Sequence, residues 1–148
     1  MRTLFIFILC KTVLSLNWQI TPITHSKSPP LTSTVKFRVM LNNVEQTTGK
    51  LAMVDSKGLI RGLAESPLQE AKFLGGKWYF SPLNFKSENE GTDYNIMFTP
   101  DNHKIYNTSS TYKFISHDPA KTEINFKSDS INSMLIHNMK ELITKYIL

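Results

Sequence analysis

Residues 92–127 read TDYNIMFTPDNHKIYNTSSTYKFISHDPAKTEINFK. Apolar and polar side chains alternate in three runs. Tyr94, Ile96 and Phe98 share one face of the first, Tyr112 and Phe114 one face of the second, and Ile124 and Phe126 one face of the third. Successive strand side chains point to opposite faces, so alternation marks a strand with one buried side. Turn-forming residues separate the runs at Pro100-Asp101-Asn102, Asn107-Thr108-Ser109-Ser110 and His117-Asp118-Pro119. The stretch is expected to form an antiparallel meander whose apolar face the rest of the chain covers.

Working outward, Thr34 to Leu41 is the clearest strand elsewhere, with Val35, Phe37, Val39 and Leu41 alternating with Lys36, Arg38 and Met40. A polar loop over Asn42 to Lys50 follows, then short strands at Leu51–Val54 and Leu59–Leu63 around a Ser56-Lys57-Gly58 turn. Ser66 with Pro67 and Gln69 has the spacing of a capped helix start. A short helix is expected over Ser66–Leu74, closed by Gly75 in a left-handed cap. Lys77 to Phe80 reads as a strand. Beyond the meander, Ser128, Asp129 and Ser130 can cap a helix. Its apolar side is Ile131, Met134, Leu135, Met139, Leu142, Ile143 and Tyr146, recurring at three- and four-residue steps. A C-terminal amphipathic helix packed on the sheet is expected.

The fold class is therefore mainly β (α+β): an antiparallel β-sandwich, or a curled sheet, with one short helix and the C-terminal amphipathic helix. Residues 1–15 read as a signal peptide: a basic start at Arg2, an apolar run to Cys10, and Val13 and Ser15 placed for cleavage after Ser15. The run falls short of the about 20 apolar residues a spanning helix needs. Residues 16–33, with Pro22, Pro29 and Pro30, form an extended lead-in, onto which Trp18 and Ile20 can tuck. Residues 34–148 form a single β-rich domain. Secretion, or residence in the secretory lumen, is the expected localisation.

Composition narrows the function classes. Apolar residues make up 41% and charged residues 20%, which suits a packed core. Net charge is +5; without Arg2 and Lys11 it is +3, from 15 basic and 12 acidic residues. The lysines do not cluster, so no nucleic-acid partner is expected. Cys10 is the only cysteine, so the mature chain carries neither disulfide nor thiol nucleophile. The four histidines, His25, His103, His117 and His137, have no ligand spacing. No nucleophile-elbow or phosphate-loop motif occurs. The expectation is a protein that is not an enzyme, with no cofactor and no metal.

Thr47-Thr48-Gly49 after a strand, then Gly75-Gly76, then Gly91-Thr92 leading a strand that ends at Thr99-Pro100, resemble in order and spacing the binding loops of the chagasin family. These are secreted immunoglobulin-like inhibitors of papain-type cysteine peptidases. The chain departs from the pattern: the first loop lacks Asn-Pro, Lys50 stands where the family has an aromatic residue, and no Arg-Pro-Trp occurs. Gly76-Lys77-Trp78 is similar to the Gly-x-Trp of lipocalins. There it opens the mature chain, whereas here too few residues follow for a barrel, and Trp78 reads as a core residue.

The leading expectation is a secreted non-enzymatic binding or effector protein that presents loops on a β scaffold to a protein partner outside the cell. A chagasin-like inhibitor and a carrier of small apolar ligands are the alternatives. The partner-binding candidates are Gln46, Thr47, Thr48, Gly49, Gly75, Gly76 and Pro100. Asn107, in Asn-Thr-Ser, is a glycosylation candidate in a turn.

Overall fold

The structure, a computed structural model, describes residues 18–24, 29–101 and 104–127 of the 148. Its strands are β1 (Leu31–Thr32), β2 (Lys36–Leu41), β3 (Val44–Glu45), β4 (Lys50–Val54), β5 (Ile60–Ala64), β6 (Leu68–Gln69), β7 (Trp78–Tyr79), β8 (Lys86–Ser87), β9 (Asp93–Thr99), β10 (Tyr106–Lys113) and β11 (Lys121–Phe126). One sheet has the order β10-β9-β4-β5 and is antiparallel throughout; a second has the order β11-β2-β3. Two short antiparallel pairs, β1-β8 and β6-β7, flank them, and single bridges join Phe37 to Phe80 and Leu63 to Leu83. The described residues are thus mostly β, in several sheets, with no closed barrel.

One apolar cluster draws on both large sheets. Val35, Phe37, Val39 and Phe126 come from β2, its lead-in and β11, and meet Leu51, Met53, Tyr94, Ile96 and Phe98 from β4 and β9. Phe80, Phe85 and Phe114 complete it. Phe85 meets Tyr94 and Phe114 edge to face at 4.9 and 5.1 Å, and Phe80 meets Phe98 at 5.7 Å. Each such ring contributes about 1.5–3 kcal/mol by leaving water, and the edge-on geometry suits the ring quadrupoles. A second cluster of Ala52, Val54, Ile60, Leu63, Met97 and Ile105 lies on the other face of β4 and β9 and is covered by Trp18 and Ile20. These two strands are therefore buried on both faces, not on the single face that alternation implies.

The lead-in is fastened through β1 near its end and, further upstream, beside β5. The Thr21 amide donates to the Ile60 carbonyl at 2.8 Å, and Arg61 Nη1 donates to the Thr21 and Pro22 carbonyls. Met53 pairs with Gly62 but Val54 with Ile60, so Arg61 is the extra residue of a β-bulge. The bulge shifts the alternation, which puts Ile60 and Leu63 together in the outer cluster. Asp55 holds the guanidinium through Nε at 2.8 Å and accepts the Lys57 and Leu59 amides on its other oxygen.

Four expectations need correction. The 92–127 stretch is not a meander: β9 and β10 form a hairpin, but β11 crosses over and pairs in parallel with β2, Lys121 opposite Lys36 through Phe126 opposite Leu41. His117, at φ 51, turns the chain, and Asp118 caps the Ala120 amide at 2.9 Å. The helix over Ser66–Leu74 is absent. Leu68–Gln69 pairs with Trp78–Tyr79, and only Lys72–Leu74 makes a single 3-10 turn that buries no residue. A helix that short is marginal without a buried face, whereas strand pairing satisfies the same backbone groups. The Gly75 cap does form, at φ 107. The polar loop after Leu41 contains β3, entered through Asn42 and Asn43, both left-handed at φ 50 and 64. A two-residue hairpin connection with both residues at positive φ suits asparagine. Finally, Asn107-Thr108-Ser109 lies within β10, where the register shifts between Asn107 and Thr111, and not in a turn. The signal peptide and the C-terminal helix fall outside the described residues.

Candidate binding surface

The segment from Leu68 to Tyr79 is a hairpin that carries large apolar side chains in the open. Phe73 is 87% exposed, Leu68 74% and Leu74 58%; Val44, on β3, is 63% exposed. Such residues belong in a core by type, and scattered single ones need no explanation. Leu83 and Ile115 are exposed elsewhere, so three of the six large apolar side chains exposed among the described residues stand on this one short element.

That element is braced. Gln69 Nε2 donates to the Gly76 carbonyl at 2.9 Å, closing the turn from within. The Gly75 amide donates to the Lys72 carbonyl at 3.0 Å. Lys121 of β11 pairs with Glu70 and sits 5.1 Å over the Tyr79 ring. The hydrogen bond to Glu70 raises the Lys121 pKa. The Trp78 amide donates to Glu45 Oε1 at 3.2 Å. Glu45 in turn takes Arg38 Nε at 2.7 Å, and Arg38 Nη1 reaches Glu123 at 2.6 Å. Burial works against the Glu45 carboxylate, but the Arg38 hydrogen bond and the Trp78 amide outweigh it and hold its pKa below the ordinary range. The same bond to Glu45 raises the Arg38 pKa. Three strands and the hairpin are thereby linked through one guanidinium, whose planar fork suits two carboxylates. Beside Leu68 runs a groove of about 430 Å³, lined by Ile20, Leu63, Ala64 and Leu83 among others.

The candidate loop residues divide into two places. Thr47 and Thr48 are exposed, and Gly49 abuts β9. At φ 115, a Cβ on Gly49 would lie 2.5 Å from the Thr99 carbonyl oxygen and 2.8 Å from the Phe98 ring. Lys50 pairs with Thr99, which brings Pro100 beside this loop. Gln46 is committed to structure: its amide donates to the Val39 carbonyl and its side chain to the Val44 carbonyl, both at 2.9 Å. Gly75 and Gly76 form the hairpin turn instead, and the hairpin meets the first loop where the Trp78 amide donates to Glu45. Asn107 is half-buried in β10, and its Oδ1 is enclosed without a hydrogen-bond partner.

The helix expected over Ser66–Leu74 left Phe73 and Leu74 unrecognised as surface residues. The available signal was Leu68-Gln69 and Trp78-Tyr79 flanking Gly75-Gly76, the pattern of two short strands around a turn. Among the described residues no three His, Cys, Asp or Glu side chains come together. Nor is any helix among them long and apolar enough to cross a membrane. No protein-family model, curated protein or solved structure matches the chain.

Proposed function

We propose that the chain is a secreted, non-enzymatic binding protein, built as a two-layered β-sandwich with a C-terminal amphipathic helix, and that the 68–79 hairpin is its recognition element for an extracellular protein. The observation that carries this reading is the exposure of Phe73 and Leu74 on a hairpin held by two ion-paired anchors. Apolar side chains on a pre-ordered loop lose little freedom on binding and supply the central contacts of an interface. The test begins with export: the protein recovered from the medium should have the mass of the chain without residues 1–15. A Phe73→Ser/Leu74→Ser double variant should then keep its melting temperature and lose at least tenfold in cross-linked extracellular partner. Retention inside the cell with residues 1–15 attached, or unchanged capture by the variant, would defeat the reading.

The chagasin-like reading is supported by one contact, that of Gly49 against Thr99, which sets Thr47-Thr48 beside Pro100. Papain activity in the presence of the purified protein decides it, and undiminished activity at micromolar protein ends it. The carrier reading has no comparable support. The interior is occupied by Phe37, Phe80, Phe85, Phe98 and Phe114, which a ligand would have to displace.

A further inference from the structure

Among the described residues, β11 ends its sheet with an open edge. The Lys36 amide donates to the Ala120 carbonyl at 3.0 Å, and the Asn42 amide to the Phe126 carbonyl at 2.9 Å. Between them the parallel register runs unbroken, from Lys121 opposite Lys36 to Phe126 opposite Leu41. Main-chain groups of successive strand residues point to alternate sides, so Lys121, Glu123 and Asn125 turn their amides and carbonyls away from β2. No described strand pairs with that side. A groove of about 220 Å³ separates it from Thr108, Thr111 and Tyr112 of β10. The edge of β10 is interrupted by the register shift between Asn107 and Thr111, a common way of blunting an edge strand. β11 has neither bulge nor proline. Its solvent face carries Lys121 and Glu123, with side chains 45% and 55% exposed. Each is held on one side only, Lys121 by Glu70 and Glu123 by Arg38.

We infer that β11 pairs antiparallel with β11 of a second copy of this chain, across a twofold axis at Thr122. This register sets Lys121 opposite Glu123 of the second copy, and Glu123 opposite its Lys121. Both residues have outward main-chain groups, so each pair exchanges its amide–carbonyl bonds. The side chains then alternate in sign: Arg38, Glu123, then Lys121 and Glu70 of the second copy. Opposite charges directly across a strand pair stabilise it, and Thr122 meets its own counterpart, which is also a favourable pair. Sliding one copy by two residues opposes Glu123 to Glu123 or Lys121 to Lys121, and like charges so placed destabilise. The charge pattern thus fits a reversed copy of itself, the self-complementarity that a twofold interface requires. The β11-β2-β3 sheets of the two copies join into one. Phe80, one residue past the 68–79 hairpin, bridges Phe37 on the far edge of β2. The hairpin therefore stays uncovered, and the pairing stands without the functional proposal.

Sedimentation equilibrium of the full chain at micromolar concentration should give twice the mass of one chain. Lys121→Glu and Glu123→Lys each set like charges across the pair, and each should weaken the dimer at least tenfold. Mixed in equal amounts, the two variants should form a heterodimer, because the chain with two acids at these positions then faces the chain with two bases. In the parent, the Glu123 amide should exchange at least tenfold more slowly in the dimer than after dilution to monomer, which decides the matter if a variant fails to fold. A monomeric parent, a Glu123 amide that exchanges fast at every concentration, variants that dimerise as the parent does, or folded variants whose mixture stays monomeric would overturn the pairing.

Discussion

The Tyr112 hydroxyl donates to Asp118 Oδ2 at 2.7 Å, while the other oxygen of the same carboxylate caps the Ala120 amide. Asp118 is buried, and its carbonyl also accepts the Thr34 hydroxyl at 2.9 Å. The next-to-last residue pair of the β9–β10 hairpin, Tyr112 with Tyr94, is thus bound to the corner from which β11 crosses to the other sheet. Tyr112→Phe removes the donor and leaves a buried carboxylate oxygen unpaired, which costs about 1–3 kcal/mol. Urea unfolding should show the midpoint falling with the slope unchanged.

The same residue predicts an alkaline limit. Burial, then the hydrogen bond to Asp118, raises the Tyr112 pKa to about 12, from an ordinary 10.0. The folded state therefore favours the neutral phenol. Its contribution is complete below pH 10 and is lost as pH rises from 10 through 12. Phenolate absorbance should show at least one tyrosine titrating near 12 in the folded protein, and that late step should vanish in Tyr112→Phe.

Glu45 sets the opposite limit. Its folded pKa lies below the ordinary 4.5. The stabilisation is then present above 4.5 and disappears as pH falls through the folded value. Acidification below pH 4.5 should speed amide exchange at Trp78 before the large sheets open. Glu45→Gln should show fast exchange there at neutral pH, with a global stability loss of only about 1 kcal/mol for a pair that is still about a quarter exposed.

Gly62 and Gly58 separate crowding from backbone strain. A Cβ on Gly62 would lie 2.7 Å from Phe85 Cβ, inside the aromatic cluster. Gly62→Ala should cost about 1–3 kcal/mol through overpacking. Gly58 has φ 78 and nothing within 4 Å of a built Cβ, so Gly58→Ala should cost about 1 kcal/mol from conformation alone. Equal losses at the two sites would contradict the packing described for Phe85.

Arg61 should control the lead-in. In a Trp78→Phe background Trp18 is the remaining tryptophan. Arg61→Met removes the donor to the Thr21 and Pro22 carbonyls and strands the partly buried Asp55 carboxylate. The native emission should move to longer wavelength as Trp18 gains water, with stability falling by about 1–3 kcal/mol. Arg61→Lys should not restore it, since an ammonium cannot reproduce the guanidinium fork.

Much of the strand content was legible because alternation is local. Residues 36–41 and 93–99 announce themselves through alternating β-branched and aromatic side chains, and 50–54 and 60–64 as short apolar runs around a turn. Which strand lies beside which is not local, and the parallel pairing of Thr122 with Phe37 is invisible to any periodicity. The 66–74 helix was misread because capping signals describe how a helix starts, not whether it finds a face to bury. Arg61 gave no sign of its role, since a bulge is a property of two strands together. The exposed Phe73 was the hardest to foresee, because residue type argues for the interior and only the hairpin geometry places it outside.

The β2–β11 pairing also governs how the protein is made. Glu123 meets Arg38 across 85 residues of sequence. During synthesis one edge of β2 waits for β11 until nearly the whole described domain has left the ribosome. Pairing at so great a separation is slow, and until it happens β2 has an open edge for any passing strand. Yield from the cell should therefore depend less on how stable the finished domain is than on how long this edge of β2 stays open.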